Sequence, residues 1–153
     1  MNLDLPVFDL RNLKRSFYYF LACNLILGIV GIIFKGALSS LVSHDTITRY
    51  TTWILFFMLL IPSFIYSNWS KKEIKKIITI SDFSVQFEKY EQFFKKRLLW
   101  NTLSVVISVA FLLIMNKISF FYILIIQSFL SLLFFPSKRV ISRELNNNDI
   151  VFT

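Results

Sequence analysis

The sequence predicts an all-α integral membrane protein with four transmembrane helices arranged as two antiparallel hairpins. Hydrophobic residues make up 56% of the chain and aromatic residues 18%, whereas soluble domains are about 45–50% apolar. The apolar residues fall into four long runs, and the Lys and Arg residues fall almost entirely into the gaps between those runs. The length of 153 residues is that of a single domain. We therefore expect residues 1–153 to form one four-helix transmembrane domain.

The first span is predicted over residues 17–34, which contain no charged residue. Eighteen helical residues cover about 27 Å, close to the hydrocarbon thickness of about 30 Å. Before this span, Leu10, Leu13 and Phe17 recur at helical spacing and Asp9 is placed to cap the helix start. Residues 1–16 are therefore predicted either to lie along the headgroups or to fray as a free terminus.

The second span is predicted over residues 50–69, bounded by the interfacial aromatic residues Tyr50 and Trp69 and kinked at Pro62. The third and fourth spans are predicted over residues 98–115 and 118–135. Only two residues separate these last runs, so the two helices are expected to be antiparallel neighbours.

Residues 70–97 form a basic segment between the second and third runs. Its isoleucine and aromatic residues recur at helical spacing, which favours a hairpin of two helices extended out of the membrane. Alternation on either side of Asp82 and Phe83 leaves a small β-hairpin as the alternative. The tail, residues 136–153, is predicted to begin with a short interfacial helix that faces Val140, Ile141 and Leu145 one way, and to end loosely.

The basic segment carries the residues predicted to bind a cytosolic protein partner or lipid headgroups. Its aromatic side chains would leave an exposed apolar patch unless they were covered, and such patches tend to mark interfaces. Packing on the headgroups or on one another is the alternative. The candidate binding residues are Lys71, Lys72, Lys75, Lys76, Lys95, Lys96, Arg97, Phe83, Phe87, Tyr90 and Phe94.

Small and polar residues recur on one face of three predicted spans. Small residues let helices approach closely, and amide or hydroxyl groups can hydrogen-bond across the contact. Packing within one chain is the favoured interpretation, and a seam or pore between copies is the alternative. These helix-packing or pore-lining residues are Asn24, Gly28, Gly31, Asn101, Ser104, Ser108, Gln127 and Ser131.

Charge distribution predicts the orientation of the four spans. Fourteen of the seventeen Lys and Arg residues lie in residues 1–16, 67–97 and 136–153, and the other three are Lys35, Arg49 and Lys117. Cytoplasmic loops are the ones enriched in Lys and Arg. Both termini and the basic segment are therefore expected in the cytoplasm of a bacterium, with the spans in its inner membrane.

Catalytic, metal-binding and nucleic-acid-binding functions are not expected. His44 is the only histidine, so neither a metal cluster nor a Ser/His/Asp arrangement can be assembled around it. No predicted span carries a charged residue at its centre, as ion-coupled transporters normally do. No cofactor is predicted, and the positive charge is explained by headgroups and topology.

Three functions remain open from the sequence. The first is a non-enzymatic membrane subunit that forms a homo-oligomer and recruits or senses a cytosolic partner through the basic segment. The others are a homo-oligomeric ion-conducting or membrane-perturbing pore, and an immunity protein against a membrane-acting toxin. The Lys-, Ile-, Phe- and Asn-rich composition is typical of AT-rich bacterial genes, including mobile defence genes. In size and span number the chain is similar to membrane subunits of anti-phage systems such as the Kiwa membrane subunit and RexB-type exclusion proteins, which implies phage defence without any shared motif.

Overall fold

A computed structural model describes residues 7–38, 47–115, 118–147 and 150–152, and within these ranges the chain is mostly helical. His44, Asn116 and Lys117 lie outside the described residues. The elements in chain order are β1 (Val7–Phe8), α1 (Arg11–Ile33), α2 (Ile47–Ile78), α3 (Phe83–Met115), α4 (Ile118–Leu132), α5 (Lys138–Leu145) and β2 (Val151–Phe152).

Two helices of the described chain are long and apolar enough to cross a membrane. They are α1 and the part of α3 from Phe83 to Ile114, and a shorter apolar helix covers Phe121–Leu132 of α4. Only 28% of the most apolar window of each long helix is buried. Helices of this length that turn most of their apolar residues outward are compatible with insertion into lipid.

Helix α3 is the centre of the bundle and packs against α1, α2 and α4. Helix α1 runs parallel to α3, because Gly31 lies against Val109 and the Gly36 N–H donates to the Leu112 carbonyl at 3.2 Å. The contacts of α2 in the described chain are made mainly with α3 and α5. In the described chain the antiparallel packed pairs include α2 with α3, α3 with α4, and α1 with α4, the last because Gly28 lies against Leu124 and Phe17 against Phe135.

The basic segment forms two helices joined by a tight turn, as helical spacing predicts, and not the β-hairpin alternative. Helix α2 continues to Ile78 and α3 begins at Phe83. Asp82 caps α3, since its Oδ1 accepts hydrogen bonds from the Ser84 and Val85 N–H groups at 2.8 and 3.4 Å. The Gln86 side chain closes the turn by donating from Nε2 to the Ile77 carbonyl at 3.1 Å.

The two ends of the chain fold onto this helical hairpin and form what we call the cap: residues 7–20, 71–98, 138–147 and 150–152. Strand β1 pairs in parallel with β2, so the prediction of a loose end is wrong for residues 150–152. Helix α5 buries Ile141 and Leu145 in the cap rather than in the headgroups. The core joins side chains from both ends, the hairpin and the start of α1: Phe8, Leu10, Leu13, Phe17, Phe20, Ile77, Phe87, Tyr90, Phe93, Phe94, Leu98, Ile141, Leu145 and Ile150.

Candidate functional site

Most aromatic residues of the basic segment lie inside the cap. Phe87, Tyr90 and Phe94 are buried, and the ring centroids of Phe8 and Phe87 are 4.5 Å apart. The alternative of packing within the chain therefore describes these three residues, because the chain ends cover them. Phe83, in the first turn of α3, is the candidate aromatic residue that stays exposed.

Arg97 is held by an internal ion pair instead of facing a partner. Its Nη1 lies 2.9 Å from Glu144 Oε1 on α5, and only 22% and 14% of the two side chains are exposed. The Tyr90 hydroxyl donates to the other carboxylate oxygen, Oε2, at 2.7 Å. The Arg97 guanidinium also lies over the Phe134 ring, 4.8 Å from its centroid. The Glu144 carboxylate thus accepts hydrogen bonds from two side chains of α3 at once and links α5 to the hairpin.

Burial and the Glu144 carboxylate both act on Tyr90. Burial raises the pKa of the Tyr90 phenol above its ordinary value, and the neighbouring negative charge and its hydrogen bond raise that pKa further. The phenol therefore remains protonated at physiological pH and keeps donating to Glu144. Sequence reasoning missed Glu144, although it is the only carboxylate of α5.

The lysines of the hairpin divide into ion-paired and unpaired residues. Lys76 pairs with Glu73 at 2.9 Å, and Lys95 pairs with Glu91 at 2.7 Å. Within the described chain no carboxylate lies within ion-pair distance of the remaining hairpin lysines, and all of these are exposed. The unpaired set is Lys71, Lys72, Lys75, Lys89 and Lys96.

The two glycines of α1 mark its closest approaches to other helices of the same chain. A Cβ at Gly28 would lie 3.2 Å from Leu124 Cδ2 on α4, and one at Gly31 would lie 3.1 Å from Val109 Cγ1 on α3. These distances are shorter than ordinary van der Waals contact, so a larger residue at either position would require the neighbouring side chain to shift by a few tenths of an ångström. The small-residue face of α1 therefore lies inside the bundle.

The polar residues of α3 and α4 face each other within the bundle. The Ser131 hydroxyl has two acceptors for its one hydrogen, Asn101 Oδ1 at 3.0 Å and the Gln127 carbonyl at 2.8 Å. Ser108 is buried and donates to the Ser104 carbonyl at 3.1 Å. These hydroxyls satisfy themselves on the helix backbone, as serines in apolar helices commonly do.

Asn24 is the exception in this polar layer. Its side chain is 2% exposed, and neither amide atom has a hydrogen-bond partner among the described residues. Because α1 and α4 are antiparallel, Asn24 lies one turn from Gly28 at the level of Ser128, one turn from Leu124. Gln127 Oε1 is a second buried acceptor without a partner there. A buried amide left unpaired in this way costs free energy.

The described residues contain no group of three or more metal-ligating side chains. Comparison with family models, curated protein sequences and solved structures finds no match to this chain.

Proposed function

We propose that this chain is a non-enzymatic scaffold of the bacterial inner membrane, with four spans and both termini in the cytoplasm, that oligomerises and binds an acidic cytosolic protein through its cap. The observation that carries the proposal is the separation of apolar and basic surface. Large apolar side chains are exposed along α1, α2, α3 and α4, whereas the unpaired lysines are concentrated on the hairpin.

Rigidity supports a docking role for the cap. The hairpin is capped by Asp82 and packed against the chain ends, and its lysines are displayed on regular helices. Lys71 and Lys75 are four residues apart on α2 and therefore share one face. A preorganised array of positive charge favours fast and specific binding of an acidic surface.

The polar side chains give less support to the pore alternative. A pore between copies would need these polar side chains to face a path outside the single chain, whereas Ser131 and Asn101 bond each other between α4 and α3 of one chain. The immunity alternative draws no specific support from any contact described above.

The partner proposal is tested by native mass spectrometry of tagged protein extracted in mild detergent. Changing Lys71 and Lys75 to Gln should remove an acidic cytosolic protein from a defined homo-oligomer. The matched control changes Lys76 and Lys95, which are already ion-paired, and should retain that protein. Equal loss in both variants, or a bare monomer from the unmodified chain, would contradict the scaffold.

Orientation is tested by cysteine labelling in a Cys23→Ser background. Ser81 lies exposed in the hairpin turn, and Ala37 lies exposed beyond the end of α1. A membrane-impermeant maleimide should label Ala37→Cys in intact spheroplasts and Ser81→Cys only after the membrane is opened. The reverse pattern would reject the cytoplasmic cap.

A further inference from the structure

A continuous groove between α2 and α3 changes from apolar to basic along its length. Its apolar half is a cavity of about 720 Å³, within the usual range of small-molecule sites of about 300–1,000 Å³. The stacked rings of Tyr66 and Trp100, with centroids 5.5 Å apart and planes inclined by 14°, form its floor. Leu99, Leu103 and Val106 line its wall along α3.

The basic half continues from the apolar half toward the hairpin turn. It is a cavity of about 330 Å³ lined by three lysines, Lys76, Lys89 and Lys96, together with Glu73 and Gln92. Trp69 and Lys96 line both halves, so the two cavities adjoin at these residues. In the proposed topology this junction lies where the hydrocarbon meets the headgroups, since Trp69 ends the second span and Lys96 precedes the third.

Charge in the basic half is not balanced by the protein. Glu73 is the acidic residue among the side chains lining this half, and it is already paired with Lys76 at 2.9 Å. Within the described residues neither Lys89 nor Lys96 has a carboxylate at ion-pair distance. Two exposed ammonium groups therefore remain beside the end of an apolar slot.

We propose that this groove binds one anionic phospholipid, with an acyl chain along the apolar half and the phosphate held by Lys89 and Lys96. The site rests on the proposed insertion of the cap end at the cytoplasmic boundary. From Leu99 to Val106 the apolar wall extends over about 10 Å of helix, which matches the upper part of an acyl chain. Lysine ammonium groups at this depth attract anionic headgroups.

Other occupants fit this chemistry less well. A second copy in the same orientation would bring its own basic segment to the level of Lys96, and like charges would meet. An acidic soluble protein could pair with the lysines but could not reach the slot formed by Tyr66, Trp100 and Val106 from water. A lipid satisfies both halves at once.

The experiment uses the full chain in nanodiscs with Trp53→Phe, which leaves Trp69 and Trp100, both lining the groove, as the tryptophans whose fluorescence is read. Phosphatidylglycerol or phosphatidylcholine with bromines on the upper acyl chain is titrated into unlabelled phosphatidylcholine. We expect phosphatidylglycerol to quench at a lower mole fraction. Lys96→Gln and Lys89→Gln should each reduce that preference about fivefold.

Lys95→Gln is the matched control, because it removes the same charge next to Lys96 but from a residue paired with Glu91. It should change the preference by less than about twofold. Equal quenching by both lipids, or an equal effect of Lys95→Gln, would overturn the site. Weak quenching by both lipids together with a dimer by native mass spectrometry would overturn it in favour of a second copy. A chain that fails to enter nanodiscs would overturn membrane insertion itself, a result distinct from an inserted chain without lipid preference.

Discussion

The cap and the bundle are held together by different means, although α1 and α3 run through both. In the cap, apolar residues from both ends of the chain are buried around the hairpin, as in a soluble domain. In the bundle, large apolar residues face outward, and glycine contacts and polar residues face inward. The hydrophobic effect can therefore drive folding of the cap, whereas helices inserted in lipid, as we propose for the bundle, are held together by close packing.

The same difference appears in how buried polar groups are satisfied. Glu144 in the cap pairs with both Arg97 and Tyr90. In the bundle, neither amide atom of Asn24 has a hydrogen-bond partner among the described residues. In the cap, the Gln86 amide lacks a partner only at Oε1, because its Nε2 donates to the Ile77 carbonyl. Removing a polar partner in the cap should therefore lower the free energy of unfolding strongly. Some polar groups of the bundle should be dispensable for stability.

The largest effect is expected from Glu144→Ala. It leaves the part-buried Arg97 and the Tyr90 hydroxyl without their acceptor, and each donor left unsatisfied in this way costs about 1–3 kcal/mol. Native-state hydrogen exchange of residues 86–98 should report this loss as easier opening of the cap. Glu91→Ala, which breaks an exposed pair, should cost less than about 1 kcal/mol. Similar costs for the two variants would show that the cap does not depend on its internal ion pair.

Gly31→Leu tests close packing in the bundle. The added side chain meets Val109 on α3, and overpacking of this kind costs about 1–3 kcal/mol. The thermal midpoint in detergent should fall. Ala22→Leu, on an exposed face of the same helix, is the control and should leave the midpoint nearly unchanged. If both variants behave alike, α1 does not pack through its glycine face.

Asn24→Leu should have the opposite sign. It removes a buried amide that has no partner among the described residues, so we expect a gain of about 1 kcal/mol in the free energy of unfolding. Asn101→Leu removes the acceptor on α3 of the Ser131 hydroxyl and leaves it the Gln127 carbonyl of its own helix, so the loss of this contact between α3 and α4 should instead destabilise the bundle. Destabilisation by Asn24→Leu would mean that a group outside the described residues pairs with this amide.

The smallest effect is expected from the pH dependence of stability at Asp82, the N-cap residue of α3. Hydrogen bonds from the Ser84 hydroxyl and from the Ser84 and Val85 N–H groups lower the pKa of the Asp82 carboxyl. A lowered pKa in the folded state contributes stability that is present above the ordinary Asp value of 3.8 and is lost as the pH falls through the folded value. The amide hydrogens of residues 83–86, the first turn of α3, should therefore become less protected from exchange in acid.

Asp82→Asn is the matched test of that pH dependence. Asparagine accepts the same capping bonds as aspartate but does not titrate. The variant should keep the hairpin turn at neutral pH and lose the acid-dependent loosening at residues 83–86. Unchanged acid sensitivity would assign the effect to another carboxylate.

Local patterns in the sequence predicted where the helices lie along the chain better than which segments pack against each other. The apolar runs located α1 and the outer part of α3, and helical spacing predicted the hairpin around Asp82. The burial of Phe87, Tyr90 and Phe94 was missed because their covering residues come from the chain ends. Tyr90 and Glu144 are 54 residues apart in sequence, and spacing within one helix carries no information about such a contact.

The candidate site was predicted only where exposure follows from local sequence. Lys71, Lys72 and Lys75 are exposed as their polarity predicts, but the pairing that withdraws Arg97 depends on the position of α5. The groove between α2 and α3 likewise depends on the register that stacks Tyr66 on Trp100. That register is set by the length of the turn and by Asp82, the N-cap residue of α3.

The parallel pairing of Val7–Phe8 with Val151–Phe152 bears on topology independently of charge. Two strands joined by backbone hydrogen bonds must lie on the same side of any membrane the chain crosses. The path between them is then closed, and a closed path crosses a surface an even number of times. An inserted chain therefore has two or four crossings, so α1, α3 and α4 cannot be the complete set of spans.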